Sequence, residues 1–204
     1  MNEDLHGSAP DTCSVALLIV DIINDLEFPG GDLLLPPALE AARAIAALKQ
    51  RARDLDIPVI YANDNFGKWR SDFRELIDHV LDDDCRGQPL AELLKPDDLD
   101  YFVLKPKHSA FYATTLHTLL QYLGTRSLII GGLTTDMCVL FTANDAFMRD
   151  YKVYIPADCV AAVQTDDNRN IMEYMQRVLE ADTTLSTDLD LRGLIDADEP
   201  GTPA

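Results

Sequence analysis

The chain has 204 residues, is 47% hydrophobic and carries a formal net charge of −18 at pH 7. A chain of this length buries roughly 70% of the surface that its unfolded form exposes, which is enough to stabilise one independent domain. The negative charge disfavours binding to nucleic acid and to anionic membrane surfaces, so no partner of either kind is expected.

Short apolar runs alternate along the chain with segments of helical periodicity, which is typical of a parallel sheet with helices on both faces. Strands that are buried on both faces are solidly apolar, as these runs are. The sequence therefore predicts the α/β class, as a three-layer doubly wound fold with a six-stranded, mainly parallel sheet. The predicted strands are 15–20, 57–62, 101–104, 127–131 and 152–155, with a weaker sixth at 183–187.

Helical periodicity fills the intervals between these strands. Residues 38–53 place apolar side chains on one stripe, and Ser71 is suited to cap a second helix. A third helix is predicted to begin at Thr114 or Thr115 and to end at Gly124, which favours the conformation that closes a helix. A fourth is predicted to open at Asp166.

Both ends of the chain are acidic and rich in turn formers. This composition predicts a flexible N-terminal segment at 1–13 and a flexible acidic tail at 190–204, around one domain at 14–189. The N-terminus has no basic stretch, and the apolar run 15–20 is too short for a signal peptide or a membrane span. The cysteines form no CxxC pair, so we expect reduced thiols in a cytoplasmic protein. They are Cys13, Cys85, Cys138 and Cys159.

The residues that follow the strands are the candidates for chemistry, because ligands of open parallel sheets bind outside the carboxyl ends of the strands. An acid, a lysine and a cysteine from three different strands are predicted to meet at this edge. In strand order the candidates are Asp21, then Asn63 and Asp64, then Lys105, then the segment GGLTTDMCV at 131–139, then Asp158 with Cys159.

Cys138 is the predicted nucleophile, and its thiol needs activation because a free cysteine has a pKa of about 8.5. Thr135 or Asp136 is suited to cap a helix whose first turn holds Cys138 and whose dipole favours a thiolate. Lys105 adds a positive charge, while Asp21 accepts the thiol proton and returns it to a leaving amine. Loss of either Asp21 or Lys105 is therefore expected to raise the pKa of the thiol.

The oxyanion of a tetrahedral intermediate also needs hydrogen-bond donors. Backbone N–H groups at the start of a helix have no partner within that helix. The N–H groups of Thr134 and Cys138 are therefore predicted to form the oxyanion hole.

Structural interpretations remain open for these residues, since an aspartate after a strand often caps a turn and an apolar-flanked cysteine often packs in a core. Cys159 is the rival nucleophile, but no glycine-rich turn precedes it. The histidines do not have the spacing of a metal cluster, so a solvated or structural role is expected for each, and no metal or other cofactor is predicted. They are His6, His79, His108 and His117.

Two non-hydrolytic functions are alternatives. A phosphoacceptor or binding domain also carries acids and a lysine at its strand ends, but Asp21 is followed by Ile22 and Ile23 and not by a second acid. A thiol redox protein needs a resolving cysteine, which Cys138 lacks at CxxC spacing.

Three stretches of the sequence resemble the signature regions of isochorismatase-like cysteine hydrolases. They are ALLIVDIINDL, LKPKHSAFYAT and GGLTTDMCVLFTANDAFMRDYKVYIPADCV. The resemblance covers residues 15–187 and implies a catalytic triad of Asp21, Lys105 and Cys138. It also implies a cis peptide before Thr134 and a homo-oligomer.

The resemblance further implies cleavage of a C–N bond in a small amide, ureido or carbamoyl substrate through a covalent thioester. Isochorismatases proper lack the cysteine, so Cys138 favours amide cleavage. Nicotinamidases bind a metal through an Asp-x-His motif after the second strand, whereas this chain has ANDNFGKWRSDF there. An isochorismatase-type hydrolase of another small substrate remains the alternative.

The segment 63–70 is a candidate wall of the substrate pocket, because it follows the second strand at the same edge. Its side chains offer amide groups, flat apolar faces and a guanidinium fork suited to a carboxylate. A small, planar and anionic substrate is the resulting hypothesis, and an ordinary surface loop is the alternative interpretation. The candidate residues are Asn63, Asn65, Phe66, Trp69 and Arg70, with Tyr112 on the opposite wall.

Overall fold

A parallel sheet of six strands forms the centre of the computed structural model, which describes residues 12–65 and 73–198. The strand order is β3-β2-β1-β4-β5, and β6 pairs with β4 beyond the end of β5. The predicted α/β class and its mainly parallel sheet are therefore confirmed. The strands are β1 (Val15–Val20), β2 (Val59–Asp64), β3 (Tyr101–Lys105), β4 (Ser127–Leu133), β5 (Lys152–Tyr154) and β6 (Val160–Ala161).

Helices cover both faces of the sheet, with α1, α2, α3 and α7 on one side and α4, α5 and α6 on the other. Across 12–65 and 73–198, no helix is both long and apolar enough to span a bilayer. The helices are α1 (Gly31–Arg53), α2 (Phe73–Asp82), α3 (Gln88–Leu93), α4 (Leu116–Leu123), α5 (Leu140–Phe147), α6 (Thr165–Val178) and α7 (Leu191–Asp198). A π-helical turn (Thr135–Val139) precedes α5 directly.

Strand β1 shows why the apolar runs do not alternate with polar residues. All six of its side chains are fully buried. Val15, Leu17 and Ile19 pack in the core on the α1 side, whereas Ala16, Leu18 and Val20 pack in the core on the α5 side. Successive side chains of a strand point to opposite faces, so a central strand between two helix layers must be apolar at every position.

The predicted sixth strand at 183–187 is wrong. The chain after β5 turns back to the carboxyl end of β4, where β6 pairs with Gly132 and Leu133. Asp182 makes one isolated bridge with Tyr154 instead of starting a strand. Strand β6 has only two residues, Val160–Ala161. They lie in a short apolar run, CVAAV at 159–163, which follows β5 too closely for the crossover that parallel strands usually need and so does not indicate a strand in the sequence.

The bounds of two helices also differ from the prediction. Helix α1 begins at Gly31 and not at 38. Pro36 and Pro37 lie inside it, and because proline lacks the N–H donor of a helix interior, this pair indicates a later start when the sequence is considered alone. Residues 191–198, assigned to a flexible tail, form α7. Leu191 is buried in the core on the α1 side of the sheet, and Leu194 and Ile195 pack against that core. Helix α7 therefore has an apolar face of helical spacing.

The carboxyl end of β4 lies unusually close to β1. Gly132 pairs with Val20 and has a φ of 127°, a conformation that favours glycine. A Cβ atom on Gly132 would lie 1.9 Å from the carbonyl oxygen of Val20. Strand β4 therefore reaches this position beside β1 only with glycine at residue 132.

We expect Gly132→Ala to lower the free energy of unfolding by about 3 kcal/mol or more, because the added methyl group overlaps backbone that cannot move aside. Gly124→Ala is the matched control: Gly124 also has a positive φ, of 74°, but has no atom within 4 Å of its Cβ position. It should lose only about 1 kcal/mol, from backbone strain. Urea unfolding of both variants measures the difference, and equal losses would contradict the predicted overlap.

Candidate active site

The ends of four neighbouring strands bring the predicted triad together. Asp21 follows β1 directly, Asp64 and Lys105 are paired in register at the ends of β2 and β3, and Cys138 lies in the π-helical turn after β4. Strand β2 separates β3 from β1, so two strand spacings of about 4.8 Å each lie between the backbones of Lys105 and Asp21. A long side chain is needed to bridge that distance, and lysine provides it.

Lys105 is the centre of this cluster and is fully buried. Its Nζ lies 2.7 Å from Oδ2 of Asp21 and donates to Sγ of Cys138 at 3.4 Å. It also donates to the carbonyl oxygen of Lys107 at 3.3 Å and lies 3.7 Å from Oδ2 of Asp64. The ammonium group of Lys105 is therefore in direct contact with both the carboxylate of Asp21 and the thiol of Cys138.

Asp21 is held from the other side by backbone. Its Oδ1 accepts a hydrogen bond from the N–H of Asp64 at 2.7 Å, and its own N–H donates to the carbonyl of Ala62 at 2.9 Å. The residue is 5% exposed, and its carboxylate also shares a hydrogen bond with the thiol of Cys138. Both carboxylate oxygens are thus held, Oδ1 by the backbone of Asp64 and Oδ2 by the ammonium of Lys105.

Burial dominates the electrostatics of the three groups. It raises the pKa of Asp21 above its usual range, against the opposing effect of Lys105. Burial alone would lower the pKa of Lys105, but the charges of Asp21 and Cys138 together raise it. Burial and the Asp21 carboxylate raise the pKa of the Cys138 thiol, so the thiol is neutral at rest.

This arrangement corrects the expected effect of Asp21 on the thiol. The negative charge of Asp21 disfavours a second negative charge on Cys138, so removal of Asp21 lowers the thiol pKa instead of raising it. The expectation for Lys105 keeps its sign, because its positive charge lowers the thiol pKa. Asp21 therefore cannot activate the thiol by its charge and can do so only by taking its proton.

The turn that carries Cys138 begins one residue earlier than predicted. Thr134 occupies the N-cap position in an extended conformation, with no side-chain capping bond, so neither Thr135 nor Asp136 is the cap. The Thr135 hydroxyl instead donates to Oδ1 of Asn168 at 2.5 Å. The carbonyl of Thr134 accepts from the N–H groups of Met137 and Val139 at 3.2 and 3.1 Å. The expected cis peptide joins Leu133 and Thr134.

A pocket of about 340 Å³ opens beside the thiol. Its walls combine the polar groups of the strand ends with apolar side chains from the loop after β1 and from the turn after β4. A small ligand of mixed character would fit such a space. The lining residues are Asp21, Asn24, Leu26, Phe28, Leu34, Asp64, His108, Leu133, Thr134, Met137 and Cys138.

The predicted substrate-binding residues are only partly described. Asn63 is fully buried, and its Nδ2 donates to the carbonyl of Ile23 at 2.8 Å, so it does not line the pocket. Tyr112 is 58% exposed and also lies outside the lining, so the structure does not bring either residue to this pocket. Asn65 is half-buried at the end of β2, also outside the lining. Phe66, Trp69 and Arg70 lie outside the described residues.

His108 is a site residue that the sequence interpretation missed. It was expected to be solvated or structural, but it lines the pocket, and its Nδ1 lies 3.7 Å from Sγ of Cys138. Its position three residues after Lys105, in the loop that leaves the active-site edge, is the one signal that could have indicated this contact.

Cys159, the rival nucleophile, is fully buried. Burial and the neighbouring Asp158 raise its pKa to about 12. Its thiol has neither a lysine partner nor a place in the pocket lining, in the part of the chain that the structure describes. These properties are those of a small core residue.

Within the same described ranges, no group of three or more His, Cys, Asp or Glu side chains has an arrangement that could hold a metal ion. Asp64 is the carboxylate expected at a metal site after the second strand. Its Oδ2 lies 3.7 Å from the ammonium of Lys105, and that positive charge disfavours a cation there.

Comparisons with known proteins agree with this architecture. The family model of the isochorismatase domain matches residues 15–187. The uncharacterized isochorismatase family protein YaaI of Bacillus subtilis is 44% identical, over 83% of this chain and 92% of its own. Maleamate amidohydrolase of Pseudomonas putida is 28% identical over 74% of each chain. The crystal structure of N-carbamoylsarcosine amidase from Thermoplasma acidophilum has a TM-score of 0.68 at 26% identity, over 87% of this chain and 99% of that one.

The matched region includes all of the residues around the thiol, from Asp21 through Lys105 to Cys138. It also agrees with the extent of the resemblance carried by the three sequence motifs. By family model, by sequence relatives and by fold, this chain belongs to the isochorismatase family of hydrolases, as its motifs predicted.

Proposed function

We propose that this protein is a cysteine hydrolase that cleaves the C–N bond of a small amide, ureido or carbamoyl substrate through a thioester on Cys138. The observation that carries the proposal is the position of the thiol at the pocket, within hydrogen-bond reach of both a buried acid, Asp21, and a buried ammonium, Lys105. A nucleophile, a proton acceptor and a fixed positive charge are the groups that acyl transfer to sulfur requires.

In the acylation step, the thiol proton moves to Asp21 as the sulfur attacks the carbonyl carbon of the substrate. The new S–C bond displaces the carbonyl π electrons onto oxygen, and the backbone N–H groups of Thr134 and Cys138 bind the oxyanion. Asp21 then donates its proton to the leaving nitrogen. The C–N bond breaks, the amine or ammonia departs, and a thioester remains on Cys138.

In the deacylation step, Asp21 is again a carboxylate and takes a proton from the attacking water. The hydroxyl forms a C–O bond, and the second oxyanion occupies the same pair of N–H groups. When this intermediate collapses, the S–C bond breaks and Asp21 returns the proton to the sulfur. Asp21 therefore serves once as base and once as acid in each half of the cycle.

Lys105 keeps the balance of charge during both steps. When the thiolate forms, the proton passes from Cys138 to Asp21, so the net charge of the buried cluster is unchanged at that point. The ammonium lies 2.7 Å from the carboxylate and 3.4 Å from the sulfur, so it stabilises the negative charge on whichever group carries it.

The substrate class is inferred from the pocket and from the relatives. Leu26, Phe28, Leu34, Leu133 and Met137 give the pocket an apolar wall, and its volume admits a small molecule. Relatives of similar fold or sequence are named as amidases of maleamate, nicotinamide and N-carbamoylsarcosine. A panel of these three compounds, with further carbamoyl amino acids and ureides, tests the proposal by ammonia release.

We expect Cys138→Ala to abolish ammonia release from the best substrate of this panel, because no other group can form the thioester. Cys159→Ala is the matched control and should keep most of the activity, because its thiol is buried away from the pocket. Iodoacetamide should modify Cys138 before Cys159 in a peptide map. Preferential modification of Cys159, with loss of activity on its replacement, would contradict the assignment.

Asp21→Asn and Lys105→Met should each lower kcat by about 100-fold or more, because one variant lacks the proton acceptor and the other the positive charge. Their effects on the Cys138 thiol should be opposite. The pKa should fall in Asp21→Asn, where a negative charge is lost, and rise in Lys105→Met, where a positive charge is lost. Ultraviolet thiolate titration, corrected with Cys138→Ala, measures both shifts.

A shift of the same sign in both folded variants would contradict the charge arrangement derived from the contacts of Asp21 and Lys105. Circular dichroism must accompany the titration, since removal of one partner of a buried ion pair typically costs about 3–5 kcal/mol of stability.

We expect exhaustive treatment with EDTA to leave the activity unchanged, because Asp64 faces the positive charge of Lys105 and a single carboxylate is a poor site for a transition metal. The measurement is the rate of ammonia release before and after chelation. Inactivation that added zinc or iron reverses would overturn this prediction and favour a nicotinamidase-like metal site.

A further inference from the structure

The sulfur of Cys138 has a third polar neighbour that the proposed triad does not use. Nδ1 of His108 lies 3.7 Å from Sγ, on a side chain that is half-buried and lines the pocket. Lys105 is fully buried and does not line the pocket. The sulfur is thus approached by one nitrogen from beneath the pocket and by another from its wall.

The other contacts of the sulfur indicate which of the two atoms, Sγ of Cys138 or Nδ1 of His108, donates the hydrogen bond. A thiol has one hydrogen and otherwise acts as a weak acceptor. The hydrogen bond between the thiol and the side chain of Asp21 uses that hydrogen. With that hydrogen directed at Asp21, the ring nitrogen meets a lone pair of the sulfur, an arrangement that requires the Nδ1–H tautomer of His108.

The position of His108 is fixed by contacts with α5. Oγ of Ser109 donates to Oδ2 of Asp145 at 2.5 Å, and the N–H of Ala110 donates to Oγ1 of Thr142 at 3.0 Å. The ring of His108 also packs against Phe141, with 5.6 Å between the centroids. Helix α5 continues directly from the turn that holds Cys138, so it positions the nucleophile and the histidine as one unit.

We propose that His108 is a fourth catalytic residue, whose Nδ1–H donates a hydrogen bond to the Cys138 sulfur and stabilises the thiolate. The proposal rests on the proposed role of Cys138 as the nucleophile. The thiolate exists at two points of the cycle, when Asp21 takes the thiol proton and when the thioester breaks. The proton stays on Nδ1 at both points, so His108 adds a donor without taking part in proton transfer.

The test replaces the donor while keeping the ring. His108→Phe retains an aromatic ring against Phe141 but has no N–H, and it should raise the pKa of the Cys138 thiol by about one unit, a tenfold change in the thiolate fraction. His108→Asn keeps a side-chain N–H and should restore part of the shift. A second donor-free variant, His108→Leu, gives the same readout should the larger ring disturb the fold.

The matched control is His117→Phe. His117 lies on α4, where its Nδ1 is 3.3 Å from the hydroxyl of Tyr151, and it does not line the pocket. Its replacement should leave the Cys138 titration unchanged. In turnover, His108→Phe should lower kcat about tenfold with little change in KM, because the hydrogen bond is to the nucleophile and not to the substrate.

An unchanged thiol pKa in folded His108→Phe or His108→Leu would overturn the proposal. An equal rise in His108→Asn and His108→Phe would assign the effect to packing and overturn it as well. Thiolate titration by ultraviolet absorbance needs no substrate. It therefore decides the role of His108 even if the amide panel shows no turnover and the proposed function fails.

Discussion

The buried ion pair between Lys105 and Asp21 is the interaction on which the rest of the site depends. Lys105 is fully buried, so its charge must be balanced by protein groups, and the carboxylate at 2.7 Å does so. The same contact opposes the effect of burial on Asp21 and keeps that carboxylate able to accept a proton. In the proposed mechanism, the Cys138 thiol reacts despite its raised pKa because its proton needs to move only to the neighbouring Asp21.

The sheet fixes this ion pair through backbone geometry. Strand order places β2 between the strands that carry Lys105 and Asp21, and the N–H of Asp64 at the end of β2 holds the second carboxylate oxygen. Gly132 lets β4 lie close against β1, so that the turn with Cys138 starts beside Asp21. The geometry of the ion pair therefore depends on the packing of the sheet, since Asp21, the N–H of Asp64 and Lys105 are held by three neighbouring strands.

The meeting of Asp21, Lys105 and Cys138 could be predicted from sequence, because each residue follows an apolar run that local composition reveals. The contact of His108 with Cys138 could not, because it depends on bonds between the loop after β3 and α5, which lies about thirty residues further along the chain. Helix α7 was missed for a different reason: the acidic composition of the segment predicts a flexible tail, although three of its apolar side chains pack on the core. Asn63 was misplaced because β2 extends to Asp64, which puts Asn63 inside the strand.

Asn63 nevertheless affects the pocket from outside it. Its amide donates to the carbonyl of Ile23, in the loop that contributes Asn24, Leu26 and Phe28 to the lining. The guanidinium of Arg86 donates to the carbonyl of Leu26 at 2.5 Å, which fixes the same loop from α3's side of the sheet. The proposed reacting groups come from the strand ends and from the turn after β4, whereas Leu26 and Phe28 of the apolar wall come from this loop. Under the proposed function, residues of this loop can therefore influence which substrate fits without any change in the buried charges of Asp21 and Lys105.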